Sequence, residues 1–180
     1  NKQATDDLLP TVYGGFGTNF SFYGFDLSLN FVYQIGGEIY DGSYASALAS
    51  PTSDNIGRAY HADLYDAWYN YKWADENSKK VNNVIPRFQY GDKYNNSSSD
   101  QYITDASFLS LQNINFGYTL PQHITQKFGV SRLRVYLACE NVWLWSQRQG
   151  LDPRSSFTGN AAAANYSPVR TISGGLNVTF

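Results

Sequence analysis

The sequence predicts an all-β fold in which antiparallel strands form a section of the wall of a membrane-spanning β-barrel. Three observations support this prediction. Several segments of about ten residues alternate between apolar and polar side chains, which places the two kinds on opposite faces of a strand. The polar positions carry mostly small neutral side chains, which suit a polar interior better than open water. Short and long connections alternate along the chain, as they do at the two ends of an outer-membrane barrel.

The composition is consistent with this class and excludes several others. The chain has 180 residues, enough for one ordinary domain. Charged residues make up 16% of the sequence, below the roughly 25% usual in soluble domains. The net charge of -2 gives no broad attraction to nucleic acid, and the single cysteine excludes an internal disulfide. Since no apolar run of about 18 residues occurs, we predict no transmembrane helix.

The first two predicted strands form a hairpin. The first covers residues 12–22, and a short turn at Tyr23 and Gly24 leads directly into the second, over residues 25–35. Both strands alternate, and their larger apolar residues share one face: Val12, Phe16, Phe20, Phe22, Phe25, Leu27, Leu29, Phe31, Tyr33 and Ile35. Aromatic residues near both ends of the second strand resemble the two aromatic girdles of a barrel wall.

A long segment, residues 41–104, separates the second strand from the third. Loops of this length are seldom structureless, and apolar residues recur at helical spacing between Tyr60 and Tyr71. We therefore predict a helix near residues 58–73 within an extracellular loop. Its aromatic stripe most simply packs the loop onto itself; the alternative is direct contact with substrate, for which the candidates are Trp68, Tyr71 and Trp73.

Three further strands complete the predicted sheet. The third covers residues 106–120 and changes phase near Gln112 and Asn113, which indicates a β-bulge. A compact connection, residues 121–131, leads to the fourth strand at 132–145. A second long loop, 146–165, precedes the closing strand, which runs from Arg170 to Phe180 with Leu176 and Val178 on its apolar face.

Charged residues are rare on the predicted polar faces. The four that occur there are Asp26, Arg132, Arg134 and Glu140. Inside a barrel they would pair across strands or with a plug, and we favour this role over substrate contact. The chain has no catalytic constellation: neither histidine has metal-ligand spacing, and no nucleophile elbow is present. The sequence therefore predicts a protein that is not an enzyme and that uses no cofactor and no metal.

Several segments together resemble the SusC/RagA family of TonB-dependent outer-membrane transporters. They read YGGFGT at residues 13–18, YGFDLS at 23–28, YQIGG at 33–37, TDASFLSLQNI at 104–114, FGYTLP at 116–121, LRVY at 133–136, ENVW at 140–143, GLDP at 150–153 and RTISGGLNVTF at 170–180. Each segment alone is weak, but together they cover most of the chain in order, with the loops as the gaps.

The resemblance implies a fold, a function and partners. The five strands would be the last of a barrel of about 22 strands, whose earlier strands and plug are absent from this sequence. The barrel would import oligosaccharides, or less often peptides, with a SusD-like surface lipoprotein as its lid and with energy from TonB. Phe180 resembles the terminal aromatic residue read by the barrel-assembly machinery.

Two other function classes remain open on the residues alone. A soluble carbohydrate-binding β-sandwich would use the loop aromatics to stack on sugar rings. An outer-membrane hydrolase barrel is disfavoured because the catalytic constellation is missing. Solubility without detergent separates the sandwich from both barrels.

Overall fold

The computed structural model describes residues 7–54, 56–67, 85–92, 94–155, 160–161 and 167–180. In this part of the chain the strands are β1 (Val12–Phe22), β2 (Phe25–Ile35), β3 (Glu38–Asp41), β4 (Ile103–Asp105), β5 (Phe108–Thr119), β6 (Arg132–Ser146), β7 (Asn160–Ala161) and β8 (Thr171–Thr179). Two short α-helices accompany them, α1 (Gly42–Leu48) and α2 (Gln122–Thr125). None of the helices in the described ranges is long and apolar enough to cross a membrane.

The long strands form one antiparallel sheet in the order β1-β2-β5-β6-β8. The all-β, antiparallel prediction is confirmed, and β1 and β2 have the predicted bounds. Tyr23 and Gly24 connect them with φ angles of 47° and 87°. Positive φ at both central residues is the requirement of a two-residue hairpin turn whose twist matches that of the strands. The short turns therefore lie at one end of the sheet and the long loops at the other.

The predicted β-bulge in the third long strand is confirmed. Along β2, Asn30 lies opposite Asn113, and the next residue, Phe31, lies opposite Leu111. Gln112 is therefore an extra residue in β5. Because one residue is added, the apolar face of β5 changes from odd-numbered to even-numbered positions at this level, which explains the phase change in the sequence.

A second irregularity lies beside the first, in β6. Glu140 is opposite Asn113, but the following pair joins Trp143 to Leu111, so β6 has one more residue here than β5. Asn141 has a φ of 50° in this stretch. Two bulges at one level bend the sheet and increase its twist close to the long loops.

One face of the five-stranded sheet, called here the apolar face, carries large apolar side chains. Rings stack along it, with Phe16 4.8 Å from Phe31 and Phe25 4.4 Å from Tyr118 between centroids. Six apolar residues from four strands belong to it by register, and we expect them to face lipid: Phe16, Leu29, Phe31, Val135, Leu176 and Val178. Four of the six are exposed, Leu29 and Phe31 being partly buried by their neighbours. Contact with lipid itself stays a prediction.

Beyond the long-loop end lie the described residues of the range 38–105 together with β7, called here the loop body. It contains a three-stranded sheet in the order β4-β3-β7. A small apolar core lies beside this sheet and consists of Leu48, Leu64, Ala67, Ile85 and Tyr102. Asp41 caps α1 because its Oδ1 accepts a hydrogen bond from the backbone N–H of Tyr44 at 2.9 Å. The described part of the loop body thus has its own strands, helix and apolar core.

The helix predicted near residues 58–73 differs from the structure where it can be compared. The described part forms a 3₁₀-helix, Ala62–Asp66, instead of an α-helix. The backbone N–H of Leu64 bonds to the carbonyl of His61, and that of Ala67 bonds to Leu64, which is the tighter three-residue pattern. The remainder of the predicted helix, with Trp68, Tyr71 and Trp73, lies outside the described residues.

Candidate functional site

The face of the five-stranded sheet opposite the apolar face is called here the polar face. All four charged residues predicted for a barrel interior are on it by register: Asp26, Arg132, Arg134 and Glu140. Between them lie small neutral side chains such as Ser28, Asn30, Asn113, Asn115, Ser173 and Asn177. The structure therefore brings the predicted residues to one surface, and it pairs two of them.

Asp26 and Arg134 form an ion pair that spans a whole strand. Arg134 Nε donates to Asp26 Oδ1 at 3.0 Å, and its Nη2 donates to the other carboxylate oxygen, Oδ2. The two residues are on β2 and β6, so the pair crosses over β5 at Gly117. A Cβ at position 117 would approach the Asp26 oxygens to 2.6 Å, closer than real contacts allow. Glycine at this position is therefore a condition for the pair.

Tyr136 lies across its neighbouring strand in a similar way. A Cβ at Gly175 of β8 would come within 2.6 Å of the Tyr136 hydroxyl oxygen. The Arg134 guanidinium lies 5.5 Å from the centre of the Tyr136 ring, within range of a cation–π contact. Near the short turns, Arg134 and Tyr136 therefore extend across glycines of neighbouring strands. The carboxylate of Asp26 balances the charge of Arg134 there.

At the long-loop end, Arg154 attaches the second long loop to the polar face. Its Nε and Nη2 donate to Asp152 at 2.9 and 2.7 Å, and its Nη1 donates to Ser110 Oγ at 2.9 Å. Ser110 is 0% exposed. Burial alone would raise the pKa of Asp152, but the hydrogen bonds and the charge of Arg154 outweigh it, and the pKa lies below its usual value. The sequence analysis did not predict this contact, although GLDP at 150–153 is one of the segments that carry the family resemblance.

A cleft of about 730 Å³ opens between the polar face and the loop body. Its wall is mostly apolar, with a few polar groups, which is the usual character of a small-molecule site. Lining residues include Leu9, Tyr13, Val32, Gln34, Glu38 and Phe108. Arg154 is also at this cleft, held by the contacts described above.

Comparison with known proteins identifies relatives of this chain. No family model matches it. TonB-dependent receptor P3 from Formosa agariphila is 27% identical over 190 residues, which cover 100% of this chain and 17% of the relative. TonB-dependent receptor P26 from the same organism is 28% identical over 193 residues, covering 98% of this chain and 18% of the relative. The chain therefore spans less than a fifth of the length of these curated relatives.

Solved structures share the fold. The RagAB peptide importer in its closed-closed state has a TM-score of 0.74 and 20% identity, covering 98% of this chain and 18% of that chain. The RagAB peptide transporter has a TM-score of 0.75 and 21% identity, with the same coverage. The resemblance to the SusC/RagA family is confirmed.

Within this SusC/RagA-like fold, the remaining predicted residues are placed as follows. Phe180 directly follows β8 and is 88% exposed. The three loop aromatics proposed to contact substrate lie outside the described residues, so that hypothesis stays a prediction. His61 Nδ1 accepts a hydrogen bond from the backbone N–H of Asp63 at 3.2 Å, a local structural role. The described residues contain no cluster of three or more metal-ligating side chains.

Proposed function

We propose that this chain is the C-terminal part of the wall of a TonB-dependent importer in the outer membrane. The observation that supports it best is the segregation within one sheet: large apolar side chains cover one face, and the other carries mainly small neutral side chains with four charged residues among them. The two ends of the sheet differ, because short turns lie at one end and the loop body lies at the other. On this proposal the apolar face meets lipid, the polar face meets the lumen, and the loop body lies outside the cell.

The remainder of the barrel is the first partner that this function requires. The sheet has two edge strands, β1 and β8, whose outer backbone groups need partners that lipid cannot supply. Earlier strands of the same protein would close the barrel, and a plug domain would fill it. The small share of each curated relative that this chain covers supports such an arrangement.

Import is the activity that the relatives suggest. The curated relatives are named TonB-dependent receptors, and the structural neighbours are named a peptide importer or transporter. We extend this to TonB-energised uptake of oligosaccharides or peptides, with a SusD-like lipoprotein as the lid. The cleft above the polar face supports passage along this wall, because it joins the loop body to the polar surface.

The test uses the full-length gene in its native host. A deletion strain would be supplied with labelled oligosaccharides and labelled peptides, each with and without a functional TonB. Import is expected to disappear in the deletion strain and in the strain without TonB, and to return when the gene is restored. Unchanged uptake of every labelled class in the deletion strain would contradict the proposal.

The orientation of the wall can be tested separately. A protease site inserted after Ser97, in a turn of the loop body, should be cleaved on intact cells. Cleavage only after the outer membrane is broken would reverse the topology. Purification of the full-length protein without detergent would support the β-sandwich alternative.

A further inference from the structure

A positive charge lies at the long-loop end of the apolar face, where β8 begins. By register, none of the paired positions of that face in the five long strands carries a charged side chain. Arg170 is two residues before Ile172, which lies on the apolar face, so the alternation of β8 places Arg170 on the same side. Arg170 is also exposed. The apolar face therefore ends, along this strand, on a cation.

The hydrogen bond that Arg170 makes does not explain its charge. Its Nη2 donates to the carbonyl of Val142 at 2.6 Å. Val142 belongs to the bulge of β6 and is paired with neither β5 nor β8, so its carbonyl needs another donor. A neutral amide side chain could supply that donor equally well. Within the described ranges Arg170 belongs to none of the ion pairs, so none of the described carboxylates balances its charge.

The distance of Arg170 from the chain end matches the thickness of a membrane. Phe180, which we expect at the periplasmic interface, is ten residues further along the chain. A strand rises about 3.3 Å per residue and is tilted by about 35–45° in such barrels, so the two residues are roughly 23–27 Å apart across the membrane. The apolar band of a barrel is about 25 Å tall. Arg170 would therefore lie at the outer boundary of the hydrocarbon layer.

Two tryptophans lie beside this boundary on the neighbouring strand. Trp143 directly follows Val142, and Trp145 is two residues further along β6; both are on the apolar face by register. Their exposed fractions are 48% and 49%. Tryptophan rings favour the boundary between hydrocarbon and headgroups, and a long cationic side chain there extends toward the headgroups. The corner of the sheet thus offers apolar surface to acyl chains and a guanidinium to the headgroup above them.

The chemistry of the guanidinium indicates which headgroup fits. Two parallel N–H groups of an arginine match two oxygens of a phosphate, and such charge-assisted bonds are stronger than bonds between neutral groups. Only one N–H of Arg170 is used by the carbonyl of Val142, so others remain for a ligand. A lipid phosphate is held at this depth by its own acyl chains, whereas a free phosphate ion is not. The lipid is therefore the source of the anion that the position favours.

We propose that Arg170, with Trp143 beside it, binds the phosphate group of a phosphorylated lipid in the outer leaflet. This binding site lies on the outside of the barrel wall, so it is separate from the import that we propose for the polar face. It rests only on the part of the proposed function in which the apolar face meets lipid. Binding of the phosphate and the acyl chains together would hold this end of the sheet at a fixed depth in the membrane.

The experiment measures lipid binding to the full-length protein in a neutral detergent by native mass spectrometry, which counts the lipid molecules that remain attached. The probes are lipid A with two phosphates, the same lipid A after removal of both phosphates, and inorganic phosphate as a competitor. Arg170→Gln removes the charge but keeps an amide donor for the Val142 carbonyl, and Arg170→Lys keeps the charge but loses the forked geometry. The matched control is Arg87→Gln, which removes a cation from an exposed position of the loop body.

The wild-type protein is expected to retain diphosphorylated lipid A and to bind the dephosphorylated form about tenfold more weakly. Arg170→Gln should weaken binding of the diphosphorylated lipid on the order of tenfold, Arg170→Lys about threefold, and Arg87→Gln less than about twofold. Heat modifiability would confirm that all variants are folded barrels. Equal affinities of the Arg170→Gln and Arg87→Gln proteins would overturn the assignment, as would equal binding of the two forms of lipid A. Complete displacement of the lipid by inorganic phosphate would show a site for the free ion and would overturn it too.

Failure of this inference can be separated from failure of the proposed function. A barrel that inserts into membranes and imports its substrate, but binds lipid A independently of Arg170, would preserve the proposed function and remove the lipid site. Lipid A binding that depends on Arg170, in a protein that supports no uptake in cells, would preserve the site and remove import.

Discussion

Buried apolar side chains are concentrated in the loop body and next to it, whereas the five-stranded sheet leaves its largest apolar side chains exposed. In the described residues, the buried apolar set includes Leu48, Leu64, Ile85 and Tyr102 of the loop body, and Phe108 is its one member from the sheet. Phe16, Phe20, Ile172 and Leu176 of the sheet are all exposed. The two regions are therefore opposite in the burial of their apolar side chains.

On the proposed function, this difference reflects two different solvents, lipid for the apolar face of the sheet and water for the loop body. Removing apolar area from water is worth about 25 cal/mol per Å², and the loop body obtains that stabilisation within itself. The apolar face of the sheet obtains only what contacts between neighbouring side chains provide, unless something apolar covers it, as a lipid bilayer would. The same kind of substitution should therefore change the free energy of unfolding differently in the two regions.

The largest expected effect is a loss of packing in the loop body. Tyr102 is 2% exposed and makes edge-on ring contacts with Tyr40 and Tyr44. Tyr102→Ala should destabilise the loop body by about 3–5 kcal/mol, the range for truncation of a buried aromatic residue. Hydrogen exchange of the full-length protein should show faster exchange across α1 and β4 and unchanged exchange in β2.

The matched control is Tyr94→Ala, because Tyr94 is 92% exposed in the same region. It should leave exchange in the loop body unchanged. Faster exchange throughout the long strands of the Tyr102→Ala protein would show that the two regions are one cooperative unit, and the comparison would fail.

The next effect concerns the apolar face. Leu29 lies midway along β2, between Thr18 and Ile114. Leu29→Arg should cost about 2–4 kcal/mol in a membrane, since the guanidinium would lie near the bilayer midplane. Folding of the full-length barrel into vesicles, titrated with urea, measures this cost. Ser28→Arg, one residue away on the polar face, is the control and should cost much less. Equal costs at both positions would mean that the two faces do not meet different solvents.

A smaller effect is expected for the ion pair on the polar face. Asp26 and Arg134 are part-exposed in this chain, so their coupling should be about 1 kcal/mol, the upper range for a pair that water reaches. A double-mutant cycle with Asp26→Asn and Arg134→Gln, measured by the same urea titration, gives this value. A coupling free energy several times larger would indicate that another part of the protein covers the ion pair and excludes water from it.

The pH dependence of the loop body gives a finer test. Because burial, and next the hydrogen bond to Asp63, raise the pKa of Tyr44 to about 12 in the folded protein, this tyrosine binds its proton more tightly when folded than when unfolded. Its contribution to stability is complete below the ordinary tyrosine pKa of about 10, and it is lost as the pH rises toward 12. Hydrogen exchange in α1 should therefore accelerate between pH 10 and about 12, relative to a distant reference segment such as β8. Tyr44→Phe should abolish most of that acceleration; if the variant accelerates as much as the wild type, other groups are responsible.

The same two regions differ in how far their sequence predicts them. Alternation located every long strand, and the change of phase at Gln112 revealed the bulge in β5. The bulge in β6 gave no such signal, because Cys139 and Trp143 remain on the same face by register. In the loop body, strands of two to four residues and the seven-residue α1 are too short for periodicity to detect.

Contacts between distant residues were the least predictable part of the site. Asp26 and Arg134 were placed correctly on one face, but their pairing spans 108 positions and crosses an intervening strand. Arg148 and Arg154 join segments that only the folded chain brings together, 107 and 44 positions apart. Alternation gives the face on which a side chain lies; it does not give its partner on a strand that is not adjacent.

The smallest effect on stability is expected for changes at Phe180. These changes should instead slow assembly of the barrel. Phe180 follows β8, is 88% exposed and continues the phase of Leu176 and Val178 on the apolar face. Aromatic rings favour the boundary between hydrocarbon and water, so this ring would lie at the interface on the short-turn side. Neither the sheet nor the loop body gains packing from it. In the proposed barrel, however, the final strand would have to pair with the first strand to remove an open edge, and Phe180 lies at the end of that strand.

In the full-length protein, deletion of Phe180 or Phe180→Asp should therefore lower the amount of assembled barrel, while each assembled molecule keeps its stability and uptake. The measurement is heat-modifiable, membrane-inserted protein relative to total protein, with uptake normalised to the inserted fraction. Thr179→Asp, one position earlier on the polar face, is the matched control and should change assembly less. If both Phe180 variants assemble as well as the wild type, the terminal ring is only another exposed residue of the apolar face. The contrast between a sheet that faces lipid and a loop body that faces water would then be tested only by the Leu29→Arg and Tyr102→Ala variants.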